Sequence, residues 1–234
     1  MLWDVLVAVT LKGGLLSGGA LLALLLLRRA PASARHWVLF LVLASMASLP
    51  AWVMLSPMMT AVVTTPVVLL PIPATLFSIT VTAGGGIEAT TWLAGIWLAV
   101  AALLLARLAA AQWFVGRICA RASLQGEFRG VPVRTSGSIT MPFTYGLWRP
   151  QILLPEAAAE WSEARRGVVL LHEFAHAARR DLLARFVGEL ACAIHWMNPL
   201  AWLAVRWMAA EQEHACDDWV LRDGVRATDY AGHL

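Results

Sequence analysis

Three apolar segments in the first half of the chain, at about residues 3–27, 37–55 and 92–114, constrain its fold more than any other feature. Because a helix rises about 1.5 Å per residue, each can cross most or all of roughly 30 Å of hydrocarbon. Of 234 residues, 59% are hydrophobic and 14% are charged, whereas a soluble domain has about a quarter of its residues charged. The sequence therefore predicts a mainly α, multi-pass membrane protein with three transmembrane helices.

The distribution of arginine predicts the orientation of these helices. Arg28, Arg29 and Arg35 crowd the loop between the first two segments, whereas residues 56–91 contain no lysine or arginine. Under the positive-inside rule the arginine loop is cytoplasmic, which leaves the N-terminus outside. We expect the first segment to be retained, because a cleaved signal peptide has basic residues before its apolar core and not after it.

The second half of the chain is more polar. Of the 15 acidic residues, only Asp4 and Glu88 precede Glu127. We therefore predict a transmembrane region over residues 1–116 and a second domain over residues 117–234. Residues 124–155 hold short β-leaning pieces broken by glycine and proline, which predicts a small β-ribbon. An extended substrate can add to the edge of such a ribbon by backbone hydrogen bonds. The alternative is that the ribbon only covers a neighbouring helix.

The stretch Leu171–Arg180 indicates what the second domain does. His172 and His176 are four residues apart, so on a helix both imidazoles can face a single metal ion. Glu173 lies beside that ion, where a carboxylate can take a proton from an attacking water. The pattern predicts a hydrolytic zinc site on a helix that begins after a capping Ser162.

Two histidines leave a zinc ion short of protein ligands, so a third is expected elsewhere. Asn198-Pro199 predicts a tight turn that brings a later helix back past the site. On that helix Glu213 and Asp217 share a face, so Glu213 can bind zinc while Asp217 hydrogen-bonds a ligating histidine. Three neighbouring residues also carry groups that bind zinc: Glu211, which points away from that face, His214 and Cys216.

Four stretches in this order resemble the BlaR/MecR family of integral-membrane zinc metallopeptidases: Pro142–Pro155, His172–His176, His195–Leu200 and Glu213–Asp217. The resemblance implies a zincin-like α+β metallopeptidase domain with zinc on the two histidines and Glu213, and with Glu173 as the base. It also implies a protease in a bacterial-type cytoplasmic (inner) membrane, facing the cytoplasm, that cleaves a DNA-bound repressor, its own chain or both after an extracellular signal.

One departure from the family limits this transfer. Sensor members of the family continue into an extracellular β-lactam-binding domain, whereas this chain stops at Leu234, within an expected helix. We therefore expect the sequence to be truncated at its C-terminal end. The resemblance does not identify the signal or the physiological substrate.

The expected chemistry is peptide-bond hydrolysis in a membrane protease whose partners are the lipid bilayer and a protein or peptide substrate. A further donor to the oxyanion is expected, and the sequence offers His195, His214 and Tyr230 without choosing between them. No direct contact with nucleic acid is expected, since the arginines are not interleaved with aromatic residues. A homo-oligomer is compatible with the sequence, which does not decide the oligomeric state.

A rival hypothesis is a non-proteolytic, signal-transducing membrane module whose zinc site is structural. Structural zinc is normally closed by four protein ligands, so this hypothesis requires His214 or Cys216 to join the other three. A plain membrane anchor or transporter would leave the polar half of the chain unexplained.

Overall fold

The computed structural model describes residues 2–55 and 87–225. The six α-helices of this part are α1 (Leu2–Leu26), α2 (Ala32–Leu55), α3 (Ile87–Arg121), α4 (Glu163–Arg179), α5 (Asp181–Ile194) and α6 (Pro199–Arg222). The four strands are β1 (Ser123–Phe128), β2 (Val131–Ser136), β3 (Phe143–Tyr145) and β4 (Gln151–Pro155), with a short 3₁₀ helix at Glu156–Glu160.

The three predicted transmembrane helices are confirmed. The stretches Trp3–Leu26, Ala32–Val53 and Ala89–Arg121 are long and apolar enough to span a membrane. The second and third are longer than predicted because their charged ends are helical too, and arginine is a good helix former. As a result, Arg35 lies in the first turns of α2 and Arg117 lies near the end of α3.

The β-structure is more elaborate than the predicted ribbon. It is a four-stranded sheet in the order β1-β2-β4-β3. The outer pairs are antiparallel, whereas β2 and β4 are parallel. Parallel neighbours cannot be joined by a tight hairpin, and residues 137–150 make the crossover and contribute β3. This connection leaves β3 as an outer strand of the sheet, where Phe143 and Thr144 border a pocket.

The sheet packs on two helices. Its buried residues Val133, Ile152 and Leu154 contact the apolar face of α4, including Val169 and Phe174. On the other side, Leu153 packs against Cys119 and Ala122 at the end of α3. Alternate residues of β4 thus face two different helices, as the two-residue period of a strand requires. The sheet is thereby fixed between the last span and the predicted metal-binding helix.

The helical hairpin formed by α5 and α6 packs into the bundle of spans. Its turn is at the predicted place, where Asn198 caps α6 by accepting a hydrogen bond from the Leu200 backbone N–H. Small residues line the contact, and a Cβ on Gly188 would come within 3.0 Å of Val205. Small residues let helix backbones approach closely in a bilayer, where the hydrophobic effect does not drive helix association. The core residues shared by α1, α2, α5 and α6 are Leu24, Leu39, Leu43, Met46, Ala184, Ala191, Cys192, Ala201, Ala204 and Met208.

Polar groups at the tip of this hairpin are paired with the spans. The Asn198 amide donates to Ser17 Oγ at 2.9 Å, and Ser17 donates to the Gly13 carbonyl. His195 Nε2 lies 2.9 Å from the carbonyl oxygen of Met46. Ser17 is about 14 Å from the end of α1 at Leu26 along the helix axis, so the tip lies at a depth where unpaired polar groups would be costly. The hairpin therefore enters the spanning bundle instead of lying only on its surface.

Candidate metal centre

The helix α4 presents its two histidines side by side. Ser162 caps the helix by accepting a hydrogen bond from the Arg165 backbone N–H, as predicted. The Val168 and Leu171 side chains face the interior, which leaves the His172 and His176 rings on another face with their Nε2 atoms 3.2 Å apart. Two imidazoles that converge in this way can share a cation.

Glu213 of α6 completes the group. Its Oε2 lies 3.5 Å from His172 Nε2 and 3.7 Å from His176 Nε2. The three potential ligand atoms lie within 4.8 Å of one another. Hydrogen bonds from the two imidazoles hold the pKa of Glu213 well below its ordinary value, which keeps the carboxylate ionised. The predicted third ligand is thus brought to the two histidines by the return of the hairpin.

The outer nitrogen of each histidine faces a carboxylate. Asp217 Oδ1 lies 3.4 Å from His172 Nδ1, which is the contact predicted for Asp217. Asp181 Oδ2 lies 3.0 Å from His176 Nδ1. A carboxylate on the outer nitrogen directs the other nitrogen, with its lone pair, toward a metal. Both rings are therefore oriented so that Nε2 faces Glu213.

Glu173 lies beside the histidines and is buried. The Thr144 hydroxyl of β3 lies 2.7 Å from the Glu173 backbone oxygen and 2.9 Å from its Oε2. Burial raises the pKa of Glu173, and the neighbouring imidazole of His176 and the Thr144 hydroxyl oppose that shift. A glutamate with a raised pKa is suited to accept a proton and to return it near neutral pH.

These groups border one pocket of about 260 Å³. Its wall includes residues from β3, α4, α5 and α6, namely Pro142, Phe143, Thr144, His172, Glu173, His176, Asp181, Leu182, Arg185, Gln212 and Glu213. The strand β3 is thus placed along the pocket by the sheet order. A substrate can reach Glu173 and the three potential ligands from the same side.

The residues present fit a zinc ion. Two imidazole nitrogens and one carboxylate oxygen are a common protein ligand set of catalytic zinc, in which a fourth position stays open. The acceptors around His176, with Asp181 first, outweigh burial and raise its pKa to about 12. The carboxylates of Asp181, Glu213 and Asp217 around the two rings favour a positive charge at this place. Because Glu173 is on the same helix and outside this ligand set, it is free to act as a base.

A second group of potential ligands shares His176 but uses its other nitrogen. It consists of His176, Asp181 and Cys216, which are partly or wholly buried. Asp181 Oδ2 already accepts a hydrogen bond from Arg179 Nε at 3.2 Å, and burial raises the pKa of the Cys216 thiol, which disfavours the thiolate that binds metals. We therefore interpret Asp181 and Cys216 as residues that hold the ring of His176, and not as ligands of a second metal ion.

Three predicted oxyanion donors differ in where they lie. His195 is at the hairpin tip, bonded to the Met46 carbonyl, and is not brought to the pocket. His214 is exposed on α6 and does not line the pocket either. Tyr230 lies outside the described residues. Neither of the two described candidates, His195 and His214, therefore lines the pocket of the ligand group.

The other potential zinc ligands of α6 are engaged elsewhere. Glu211 Oε2 lies 2.9 Å from the guanidinium of Arg35 in α2, as expected for a residue that points away from the face of Glu213. Cys216 Sγ lies 3.3 Å from Nδ1 of His176, on the opposite side of the ring from Nε2. Within the described residues, a closed four-ligand set with His214 or Cys216, which the rival hypothesis of a structural zinc site requires, is not assembled.

Sequence reasoning missed Asp181 and Thr144. Asp181 follows His176 by five residues and begins α5, after Arg180 ends α4 in a left-handed conformation with φ 57°. An acidic residue directly after a histidine-bearing helix was a usable signal, although it also suits an ordinary helix start. Thr144 had no comparable signal, because its contact with Glu173 depends on the sheet order.

The sequence of the chain is similar to known proteins of one family. The family model described as BlaR1 peptidase M56 matches residues 20–234. The regulatory protein BlaR1 of Bacillus licheniformis is 37% identical over 84 residues, which are 36% of this chain and 14% of that protein. The methicillin resistance mecR1 protein of Staphylococcus aureus is 26% identical over 107 residues, which are 45% of this chain and 18% of that protein.

The aligned segments span less than a fifth of the curated relatives' own length, whereas the family match spans nearly all of this chain. The three apolar helices, the small sheet and the histidine pair on α4 lie inside or overlap the matched residues. The chain is a membrane protein of the peptidase type, and it belongs to the BlaR1 peptidase M56 family.

Proposed function

We propose that the chain is a membrane-embedded, zinc-dependent endopeptidase that cleaves a cytoplasmic protein, its own chain or both during transmembrane signalling. The observation that carries this proposal is the convergence of His172, His176 and Glu213 beside the buried Glu173 in one open pocket. The family match supports peptidase chemistry. The names of the relatives, a regulatory protein and a methicillin resistance protein, support a role in signalling.

The residues have distinct roles in this mechanism. His172, His176 and Glu213 would hold the metal, which supplies Lewis acidity that polarises a carbonyl and makes a water more acidic. Glu173 accepts the proton of the attacking water and later delivers it to the leaving amine. Thr144 holds the Glu173 carboxylate through the hydroxyl contact at 2.9 Å. Burial raises the pKa of Glu173, which favours its role as the carrier of the proton between the two transfers.

The sheet supports an extended peptide as the substrate. In the described part of the chain, β3 is an outer strand paired only with β4, and Phe143 and Thr144 line the pocket. An extended segment can add to such an edge by backbone hydrogen bonds, which would direct it along the pocket past Glu173. This arrangement favours cleavage within a chain over removal of a terminal residue.

The positions of the arginines support a cytoplasmic site. The pocket is built from elements that follow α3, and α3 ends at Arg121 next to the sheet. Arg28, Arg29 and Arg35 mark the same side of the membrane under the positive-inside rule. A cytoplasmic repressor and the chain itself are therefore the substrates that we propose.

Purified protein with Glu173→Gln tests this mechanism. We expect the variant to bind zinc as the wild type does and to lose cleavage of a protein substrate by at least about 100-fold, because general base catalysis contributes that much. Glu163→Gln, on the exposed first turn of the same helix, is the matched control and should remain active. Full activity of the Glu173→Gln protein would overturn the mechanism.

Two further measurements complete the test. A chelator should abolish cleavage by the wild type, and added zinc should restore it, whereas Glu213→Ala should lose the metal. Proteomics of cells that carry the wild type or Glu173→Gln should then identify the substrate through cleavage peptides present only with the wild type. Identical peptides in both cell types would favour the non-proteolytic signalling module.

A further inference from the structure

Asp181 is a buried carboxylate that lies beside the proposed metal centre. It is 3% exposed, and its Oδ2 lies 3.0 Å from His176 Nδ1 and 3.2 Å from Arg179 Nε. A buried carboxylate is costly unless charged or hydrogen-bonding partners compensate for its lost hydration. The contacts of Oδ2 with His176 and Arg179 provide such partners. Packing alone would be satisfied by an apolar residue, so the carboxylate indicates a role in these polar contacts.

The contact with His176 determines how that ring can bind a metal. If Nδ1 carries the proton and donates it to Asp181, the lone pair of Nε2 is left facing Glu213 at 3.7 Å. Without the carboxylate, either tautomer and other ring orientations would compete. Asp181 thus selects the tautomer and the orientation that a ligating histidine requires.

The backbone of Asp181 is fixed from two sides. Arg180 adopts the left-handed conformation that turns the chain from α4 into α5, so Asp181 returns toward His176. From α6, the Gln212 amide donates to the Asp181 carbonyl at 3.0 Å in the buried interior. The carboxylate of Asp181 is therefore held between α4, which carries the two histidines, and α6, which carries Glu213.

The first turns of α2 contact this carboxylate from the spanning bundle. His36 is 2% exposed, and its Nε2 lies 3.9 Å from Asp181 Oδ1. Both His36 Nδ1 and Asp181 Oδ1 are buried without a hydrogen-bond partner in the described part of the chain. The preceding residue, Arg35, pairs with Glu211 of α6 at 2.9 Å. Arg35 thus forms an ion pair with α6, and the adjacent His36 lies 3.9 Å from the carboxylate of α5 without a hydrogen bond to it.

We propose that Asp181 positions the metal ligand His176, and that His36 acts on the metal centre through Asp181, so that the second span is coupled to the pocket. The proposal rests on the proposed function for the identity of the metal. It adds a positioning residue outside the His-Glu-x-x-His pattern and a defined contact between a transmembrane helix and the site. Movement of α2 would then alter the affinity of the site for its metal.

Zinc affinity of the full chain in detergent or nanodiscs tests the first step. We expect Asp181→Asn to bind zinc roughly 10- to 100-fold more weakly, as is usual for the outer partner of a ligating histidine. The visible spectrum of bound Co²⁺ should change as well, because the His176 ring is no longer fixed. Asp218→Asn, at an exposed position of α6, is the matched control and should bind zinc like the wild type.

A double-mutant cycle tests the second step. His36→Phe should weaken zinc binding in the wild type and should have no further effect in the Asp181→Asn protein, because His36 is proposed to act only through Asp181. Equal losses from His36→Phe in both backgrounds would overturn the coupling. Asp181→Glu keeps the charge but displaces it, so it should give an intermediate affinity even if Asp181→Asn folds poorly.

The outcomes separate this inference from the proposed function. Unchanged zinc affinity and an unchanged Co²⁺ spectrum in Asp181→Asn would overturn the positioning role, even if the wild type cleaves its substrate. A wild type that binds zinc, with the expected loss in Asp181→Asn, would support the inference even if no cleavage is found. A wild type without zinc affinity would overturn both.

Discussion

Thr144 and Glu173 are 29 residues apart in sequence, yet one hydroxyl of β3 contacts both the backbone and the carboxylate of the proposed base. Hydrogen bonds to charged groups contribute about 1.5–3 kcal/mol, and 1.4 kcal/mol corresponds to about tenfold in rate. We expect Thr144→Val to lower kcat by about 10-fold or more with little change in KM, since the carboxylate loses its anchor but the peptide-binding edge remains. Cleavage kinetics with a peptide substrate measure this.

Thr144→Ser is the matched control for that substitution. It keeps the hydroxyl and loses only the methyl group, so kcat should stay close to that of the wild type. A loss of the same size in both variants would assign the effect to packing of β3, and it would remove Thr144 from the mechanism.

Cys216 distinguishes the proposed catalytic site from a structural one. Its Sγ faces Nδ1 of His176, whereas Glu213 faces Nε2. We expect Cys216→Ala to retain stoichiometric zinc and cleavage, with a loss in zinc affinity smaller than that of Asp181→Asn. Metal analysis of the purified variant measures the first result. Complete loss of zinc would mean that the thiolate is a ligand, as the rival hypothesis of a closed site requires.

Among the elements, the sequence predicted the tight turn between α5 and α6 but not its depth. The prediction came from a local signal, namely the Asn198-Pro199 break. The depth depends on contacts with residues more than 140 positions away, such as His195 with Met46 and Asn198 with Ser17. No local pattern contains such pairings, so only the fold gives the position of the tip.

Gly13 and Gly14 provide a sharp test of that position. A Cβ on Gly13 would lie 2.6 Å from Nδ1 of the His195 ring, whereas a Cβ on Gly14 would meet nothing within 4 Å. The His195 ring cannot move away freely, because it is bonded to the Met46 carbonyl. We expect Gly13→Ala to lower the free energy of unfolding by about 1–3 kcal/mol, as overpacking usually does.

Gly14→Ala is the matched control, since it introduces the same methyl group one residue along the same helix. It should leave the free energy of unfolding unchanged or slightly raised, because alanine is the better helix former. Thermal unfolding in detergent compares the two proteins. If both variants behave alike, the hairpin tip does not contact α1 in the way described.

At the scale of the whole molecule, the sequence predicted the architecture well because its strongest signals are long or highly specific. Three apolar segments predicted the spans, and the pair of motifs around His172 and Glu213 predicted the elements that meet at the pocket. The division of the chain at residue 116 stays a prediction. The core of α1, α2, α5 and α6 crosses that boundary, so the spans and the second half form one packed unit.

The sequence could not predict which polar residues connect the spans with the second half of the chain. Arg35 was interpreted only as a signal of orientation, yet it pairs with Glu211, and the next residue, His36, approaches Asp181. Charges near a membrane surface indicate a side of the bilayer in any sequence, and their particular partners appear only when helices from both halves are packed. The same residues can thus set the orientation and contact the site.

Labelling of introduced cysteines tests the orientation of the whole molecule. The three native cysteines, Cys119, Cys192 and Cys216, are free and buried, so a membrane-impermeant maleimide should label the wild type weakly. Glu127→Cys, at an exposed position of β1, should be labelled in spheroplasts only after permeabilisation, because we propose that the sheet lies in the cytoplasm with the arginine loop. Ser78→Cys, in the cation-free segment outside the described residues, should be labelled in intact spheroplasts. The reverse pattern would place the pocket outside, and a cytoplasmic repressor would then be excluded as the substrate.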